Sequence, residues 1–328
     1  MNLHQIVLGA RIRTLALAVA PVWMGVAAAW RILRAQGGAV DTGRVWCLGL
    51  LCLGVALFMQ IAANYANDYS DGVRGTDAHR AAPVADDPDD DHIPDYEELH
   101  APVRLVASGV RPGVVLGAAA TSAVLACGFG MAAVMLTGHW WLIFLGLACL
   151  LAAWCYVGGP HPYGYRGWGE LAAFVFFGPV ATCGTTYVVS GTCDWASLAG
   201  GLVAGTIALA TIWVNNLRDL EHDRDAGKRT LAVRMGRTAA LVCLVVMLVA
   251  LAAVALASWT VLSMHGGPTG DPDAGLTFCT ILGSVCVLLL GWFAGLCCIK
   301  KEYMRSMMLL GLLALAAALA YNGFALIL

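Results

Sequence analysis

The sequence predicts an all-α, polytopic membrane protein, with nine transmembrane helices around a central cavity that opens to the cytoplasmic side. The 328 residues are 60% hydrophobic and only 12% charged, with a mean hydropathy of +0.76, well outside the range of water-soluble domains. Nine apolar stretches approach the roughly 20 residues a bilayer core requires: 14–33, 45–66, 112–137, 139–157, 171–190, 196–215, 238–260, 276–299 and 307–328. The basic residues are also asymmetric. With the N-terminus inside, sixteen Lys and Arg fall on the cytoplasmic side and only Arg31, Arg34 and Arg44 on the other, a strong positive-inside pattern. An extra or missing span would scramble it.

The elements follow in order. "MNLHQIVLGARIRT" reads as a short interfacial helix with basic residues at headgroup level. The next run, from Arg11 to Trp30, has the look of a signal peptide, but eight further spans follow, so it is read as the first span. Span two, ending "FMQIAA", runs straight into "NYANDYSDGVRGTD" (64–77). The segment 78–102 carries eight carboxylates without apolar periodicity and is expected to be a solvated, poorly ordered loop. Spans three to five follow, then span six with "GLVAG" (201–205), a small-xxx-small packing element. After span six comes "NNLRDLEHDRDAGKRTLAVRMG" (215–236), and three apolar spans complete a single transmembrane domain over 1–328. Most of the twelve cysteines lie in apolar spans without metal spacing and read as small hydrophobes.

Two acidic clusters need an explanation, because an Asp near a bilayer centre costs about 2.5–3.5 kcal/mol. At 3.6 residues per turn, Asn64, Asn67, Asp68 and Asp71 share an arc of about 100°. Asp77 lies beyond "GVRG", whose glycines end the helix. Asn215, Asn216, Asp219 and Asp223 share a second arc, while Glu221, His222 and Asp225 read as ordinary solvated residues. Both clusters follow an apolar span and precede a glycine-containing basic loop, which suggests a loose internal repeat of spans two and six. Solvated loop charges have no reason to repeat at helical spacing twice. Magnesium suits such sites: it takes oxygen ligands, one or two carboxylates per ion, with water and substrate phosphates completing the shell. Arg and Lys of the adjoining loops would take the remaining phosphate oxygens. A third cytoplasmic segment, "YVGGPHPYGYRGWGE" (156–170), reads as a bent loop lining a pocket for a flat ring, or as an interfacial aromatic belt. His161 reads as a surface residue.

"NDYSDGVRGTD" and the 215–236 segment resemble the two Asp-rich motifs of the UbiA-type intramembrane prenyltransferases, a family of nine-helix proteins. The spacing of the first motif, "RLVASG" (104–109), "YVGGPHPYGYRGWGE" and "FFGPVATCGTTYV" (176–188) are most similar to the branch that prenylates 1,4-dihydroxy-2-naphthoate in menaquinone synthesis. Val157 where that branch has Thr, Ala101 where it has Gly, and the acidic insertion depart from the pattern.

The resemblance implies a Mg²⁺-dependent enzyme that takes a polyprenyl diphosphate and an aromatic acceptor, with two ions and the lipid bilayer as its setting. It implies Asn67, Asp68, Asp71 and Asp77 around one ion and Asn215, Asn216, Asp219 and Asp223 around the other, with Asp68, Asp71, Asp219 and Asp223 catalytic. Asn64, Arg104, Lys228 and Arg229 are expected on the substrate side, the last three at the diphosphate, and Tyr156, Tyr163 and Tyr165 at the acceptor or the cation. The expected location is a prokaryotic cell membrane, with the site facing the cytoplasm and no nucleic-acid partner. Two alternatives remain: another acceptor (4-hydroxybenzoate, homogentisate or a tetrapyrrole), or a carrier of a divalent or phosphate-bearing solute. Carriers place ionisable groups near the midplane, whereas spans 3, 4, 7, 8 and 9 contain no Asp, Glu, Lys or Arg.

Overall fold

The computed structural model describes residues 1–37, 39–76, 104–265 and 274–327. All its regular structure is helical: α1 Leu3–Ala10, α2 Ala16–Ala35, α3 Thr42–Arg74, α4 Pro112–Thr137, α5 Leu142–Val157, α6 Gly169–Ser190, α7 Trp195–Arg218, α8 Leu220–Asp225, α9 Leu231–Met235, α10 Arg237–His265, α11 Ala274–Ile299 and α12 Tyr303–Ile327. Among the described residues, seven helices are long and apolar enough to cross a membrane, and two shorter apolar stretches, Leu142–Val157 and Val285–Ile299, accompany them.

The short α1 is closed by a capping box in which Asn2 and Gln5 satisfy each other's backbone N–H. It lies against α3, with the Tyr65 hydroxyl donating to the Ile6 carbonyl at 2.7 Å. Asp41 caps the start of α3 through the Arg44 N–H. Gly75, at φ 72°, ends that helix in the left-handed region. The acidic motif therefore rides on the last turns of a continuous 33-residue helix, directly after the apolar stretch.

Pro179 interrupts α6, where Phe176–Val180 widens into a π turn. That turn packs on α7 at the small-residue element: a Cβ at Gly178 would sit 2.4 Å from the Gly201 carbonyl oxygen, and one at Gly205 would sit 2.5 Å from that of Phe174. The backbones approach as the "GLVAG" pattern predicts. A core of Met24, Ala27 and Ala28 from α2, Ile207 from α7, Leu251 from α10 and Leu313 from α12 joins the two halves. The last helix packs on α2, and α2 packs on α3, α6 and α7, so the bundle closes around an interior cavity of about 890 Å³.

Candidate active site

The four residues of the first arc divide into two pairs with different duties. Relative to Asn64, Asn67 and Asp71 lie about 60° and 20° to one side, and Asp68 about 40° to the other. Asn67 and Asp71 line a small polar chamber of about 50 Å³. Asp68, 1% exposed, lines neither cavity. Its carboxylate accepts the backbone N–H groups of Leu105 (2.9 Å) and Val106 (3.4 Å), holding the "RLVASG" turn against α3. Asn64 donates to the Ala10 carbonyl at 2.9 Å and to Thr14 Oγ1 at 3.4 Å, which ties α3 to the N-terminal segment. Both were expected at the ion or substrate. The structure gives Asp68 to the scaffold, where the neighbouring turn supplies its partners, whereas Asn64, besides tying α3 to the N-terminal segment, lines the large cavity.

The second arc meets the first. Asn215, Asn216, Asp219 and Asp223 all line the chamber, although α7 ends at Arg218 and α8 resumes after Asp219. The i to i+4 bonds survive that break: Asp219 N–H to the Asn215 carbonyl at 3.1 Å and Asp223 N–H to the Asp219 carbonyl at 2.7 Å. Asp223 therefore keeps nearly its helical position. Glu221 pairs with Arg224 at the surface, and Asp225 is exposed. His222, read as solvated, is exposed and also lines the chamber.

Lys228 joins the two acidic ends. Its Nζ lies 3.6 Å from Asp71 Oδ1 and 3.3 Å from Asp223 Oδ1, and 4.7 Å from the centre of the Tyr165 ring. The Tyr165 hydroxyl donates to Asp71 Oδ1. Burial, then the Asp71 carboxylate, raise the Tyr165 phenol above its ordinary range, so it remains a neutral donor. Burial pushes Tyr163 up to about 12. Arg104, 4% exposed, also lines the chamber. The Arg229 side chain is exposed and does not line it; its backbone N–H donates to the Tyr165 carbonyl at 2.7 Å. Asp77 and the acidic insertion lie outside the described residues.

The chamber adjoins the 890 Å³ cavity, whose lining is largely apolar. Asn67, Tyr156 and Asn215 line both spaces. Tyr163 lines only the larger one and meets Tyr156 edge-on, with ring centroids 5.6 Å apart. The 156–170 loop thus bends into the wall between the two, and His161 stays exposed.

Three residues that sequence reasoning passed over belong here. Arg218 donates to both Asp219 oxygens, at 2.8 and 2.9 Å, and to Asn215 Oδ1 at 2.7 Å. Glu170, 1% exposed, accepts the Asn216 amide at 2.9 Å. Gln60, one turn before Asn64, donates to Thr14 Oγ1 at 3.3 Å and lines the large cavity. A lone amide in an uncharged run was a readable signal for Gln60. The other two required knowledge of what they face.

The donor set fits magnesium with substrate oxygens better than a closed protein cage. Among the described residues no three Asp, Glu, His or Cys side chains gather as a metal-holding group. Asp71 and Asp223 share Lys228, and Asp219 is paired with Arg218. That leaves carboxylates and amides in the small numbers per ion that Mg²⁺ uses when phosphates and water complete its shell.

The profile of the UbiA prenyltransferase family matches residues 18–270. The 1,4-dihydroxy-2-naphthoate octaprenyltransferase of Mycobacterium tuberculosis is 45% identical over 234 residues, covering 71% of this chain and 70% of that protein. Among solved structures, an apo UbiA homolog from Aeropyrum pernix has a TM-score of 0.62 at 14% identity, covering 94% of this chain and 97% of that one. A UbiA homolog from Archaeoglobus fulgidus bound to GPP and Mg²⁺ has a TM-score of 0.59 at 12% identity, covering 97% and 99%. These two likenesses establish a common fold.

Proposed function

Since this chain belongs to the UbiA prenyltransferase family, we propose that it transfers a polyprenyl group from polyprenyl diphosphate to 1,4-dihydroxy-2-naphthoate. CO₂ and pyrophosphate are released, and the product is the demethylmenaquinone skeleton in its quinol form. The observation that carries this reading is the junction of the two cavities at Asn67, Tyr156 and Asn215. A small, charged chamber beside a larger, mostly apolar one matches a substrate with a diphosphate head and an isoprenoid tail. The choice of acceptor is supported by the name and 45% identity of the mycobacterial relative and by the 156–170 loop.

Asn67 and Asp71, with Asp77, would hold one Mg²⁺, and Asn215, Asn216, Asp219 and Asp223 a second. Bound magnesium supplies the positive charge that neutralises a leaving diphosphate. Lys228 and Arg104 face the same chamber and bind phosphate oxygens. The allylic C–O bond breaks with its electron pair on the diphosphate. The rings of Tyr156 and Tyr163, on the cavity side, present π faces to the resulting cation. The electron-rich acceptor ring attacks that cation, and its carboxylate leaves as CO₂. Low water content in the apolar cavity protects the cation from hydrolysis.

The finer membrane arrangement belongs to the same proposal. We infer nine spans, counting Leu142–Val157 and Ala274–Ile299 with the seven long helices, and the acidic ends at the cytoplasmic leaflet of a prokaryotic cell membrane. The sixteen-to-three split of basic residues supports that orientation. The test is an assay of purified protein with radiolabelled prenyl diphosphate, Mg²⁺ and a panel of aromatic acceptors. Prenylated naphthoquinol is the expected product. Product only with another acceptor refutes the acceptor assignment, and vesicle uptake without chemistry refutes the enzyme.

A further inference from the structure

Glu170 lies in the first turn of α6, 1% exposed. Burying a carboxylate there is costly unless its partners compensate, and compensation is incomplete, because Oε2 is buried without a hydrogen-bond partner among the described residues. All its bonding falls on Oε1, which accepts the Leu231 backbone N–H at 3.1 Å and the Asn216 Nδ2 at 2.9 Å. The first of these bonds decides the second. A backbone N–H can only donate and a carboxylate oxygen can only accept, so the atom of Asn216 that faces Oε1 is the NH₂ group. The carbonyl Oδ1 is then the acceptor that Asn216 has left for the chamber it lines. Leu231 closes the short loop that carries Lys228, so the same oxygen also anchors the segment that delivers the ammonium to Asp71 and Asp223.

We propose that Glu170 is a positioning residue: through Oε1 it fixes the amide of Asn216 so that Oδ1 faces a cation in the chamber, and it pins the Lys228 loop beside it. This rests on the reading of the chamber as a divalent-cation site. Groups that orient a metal's ligands in this way change metal affinity by about 10–100-fold when removed. What Glu170 contributes is an acceptor in a fixed place, not a charge. Gln at 170 retains an acceptor oxygen for both N–H groups, whereas Ala retains none.

The test measures Mn²⁺ binding to the detergent-solubilised full chain by electron paramagnetic resonance, with Mg²⁺ as competitor and no substrate. Glu170→Ala is expected to weaken Mn²⁺ binding about 10–100-fold, and Glu170→Gln to restore it. Asn216→Asp provides a second arm that does not depend on the alanine variant folding. It adds a negative charge to the chamber yet removes the donor that Glu170 requires, so it is expected to weaken binding. Wild-type affinity in Glu170→Ala, equal weakness in Glu170→Gln, or tighter binding in Asn216→Asp alone each overturns the proposal while leaving the cation site standing. Absence of Mg²⁺-competed Mn²⁺ binding in the wild-type protein removes the cation site, and this proposal with it.

Discussion

Asp68 and Asp71 share a motif, a helix face and nearly complete burial, 1% exposure each, yet the structure assigns them different work. Asp71→Asn retains the side-chain volume and an oxygen for the Tyr165 hydroxyl, and it leaves Lys228 with Asp223 at 3.3 Å. Its stability cost should therefore be small, about 1 kcal/mol, the worth of a typical hydrogen bond. Its catalytic cost should be large. Removing one preorganised electrostatic partner of a charge-separating transition state costs about 2.7–4 kcal/mol, or 10²–10³ in turnover. Asp68→Asn should behave in the opposite way. The Leu105 and Val106 N–H groups bond to different oxygens of the carboxylate, and the amide keeps only one of the two; a buried donor left unsatisfied costs about 1–3 kcal/mol. The assay pairs Mg²⁺-dependent prenyl transfer with thermal unfolding of each purified variant. Asp71→Asn should lose turnover with little change in unfolding temperature, and Asp68→Asn should unfold earlier with turnover reduced less than tenfold. Near wild-type turnover in Asp71→Asn, or an Asp68→Asn that is as stable as wild type and equally inactive, would refute the division of roles.

Asp219→Ala should abolish turnover while the protein still inserts and purifies, because it removes a chamber carboxylate and leaves Arg218 without its ion-pair partner; retained activity counts against the second cluster. Tyr165→Phe deletes the donor to Asp71 and should lower kcat/KM up to about tenfold, near 1 kcal/mol. The folded chain holds the Tyr165 proton more tightly than the unfolded chain does. Its contribution to stability is thus intact below about pH 10 and declines as pH rises from there toward the raised folded-state value. Unfolding temperatures measured from pH 8 to 11 should fall less steeply in Tyr165→Phe. Gly178→Ala should destabilise by about 1–3 kcal/mol, since its Cβ meets the Gly201 backbone at 2.4 Å. Gly184→Ala, which meets nothing within 4 Å, should be neutral or gain about 1 kcal/mol in the helix; equal thermal shifts would refute the close approach.

Membrane residence, helical class and the end of α3 at "GVRG" were legible because each follows from a local property: hydropathy summed along a stretch, side-chain period, and glycine's tolerance of positive φ. The two acidic clusters were legible for the same reason, since helical spacing alone aligns their residues. The particular duty of each residue was less so. Asp68 was read as a metal ligand and Asn64 as a substrate-side residue because nothing in the chain shows that Leu105 and Ala10 present backbone groups to them. His222 was read as solvated and is exposed, yet it also lines the chamber, and its place seven residues after Asn215, within about 20° of it on a helix, was a readable signal.

What the sequence determined by itself is that this chain lies in a bilayer as helices and carries two sets of oxygen donors at the ends of two of them. Hydropathy and helical period depend only on residues a few positions apart. Tertiary packing alone decided that Asp71 and Asp223, 152 positions apart, share one lysine. It also decided that Glu170 sets the amide of Asn216 and that the charged chamber meets the apolar cavity at Asn67, Tyr156 and Asn215. The direction in which a side chain can be satisfied is set by groups the chain brings from far along its length.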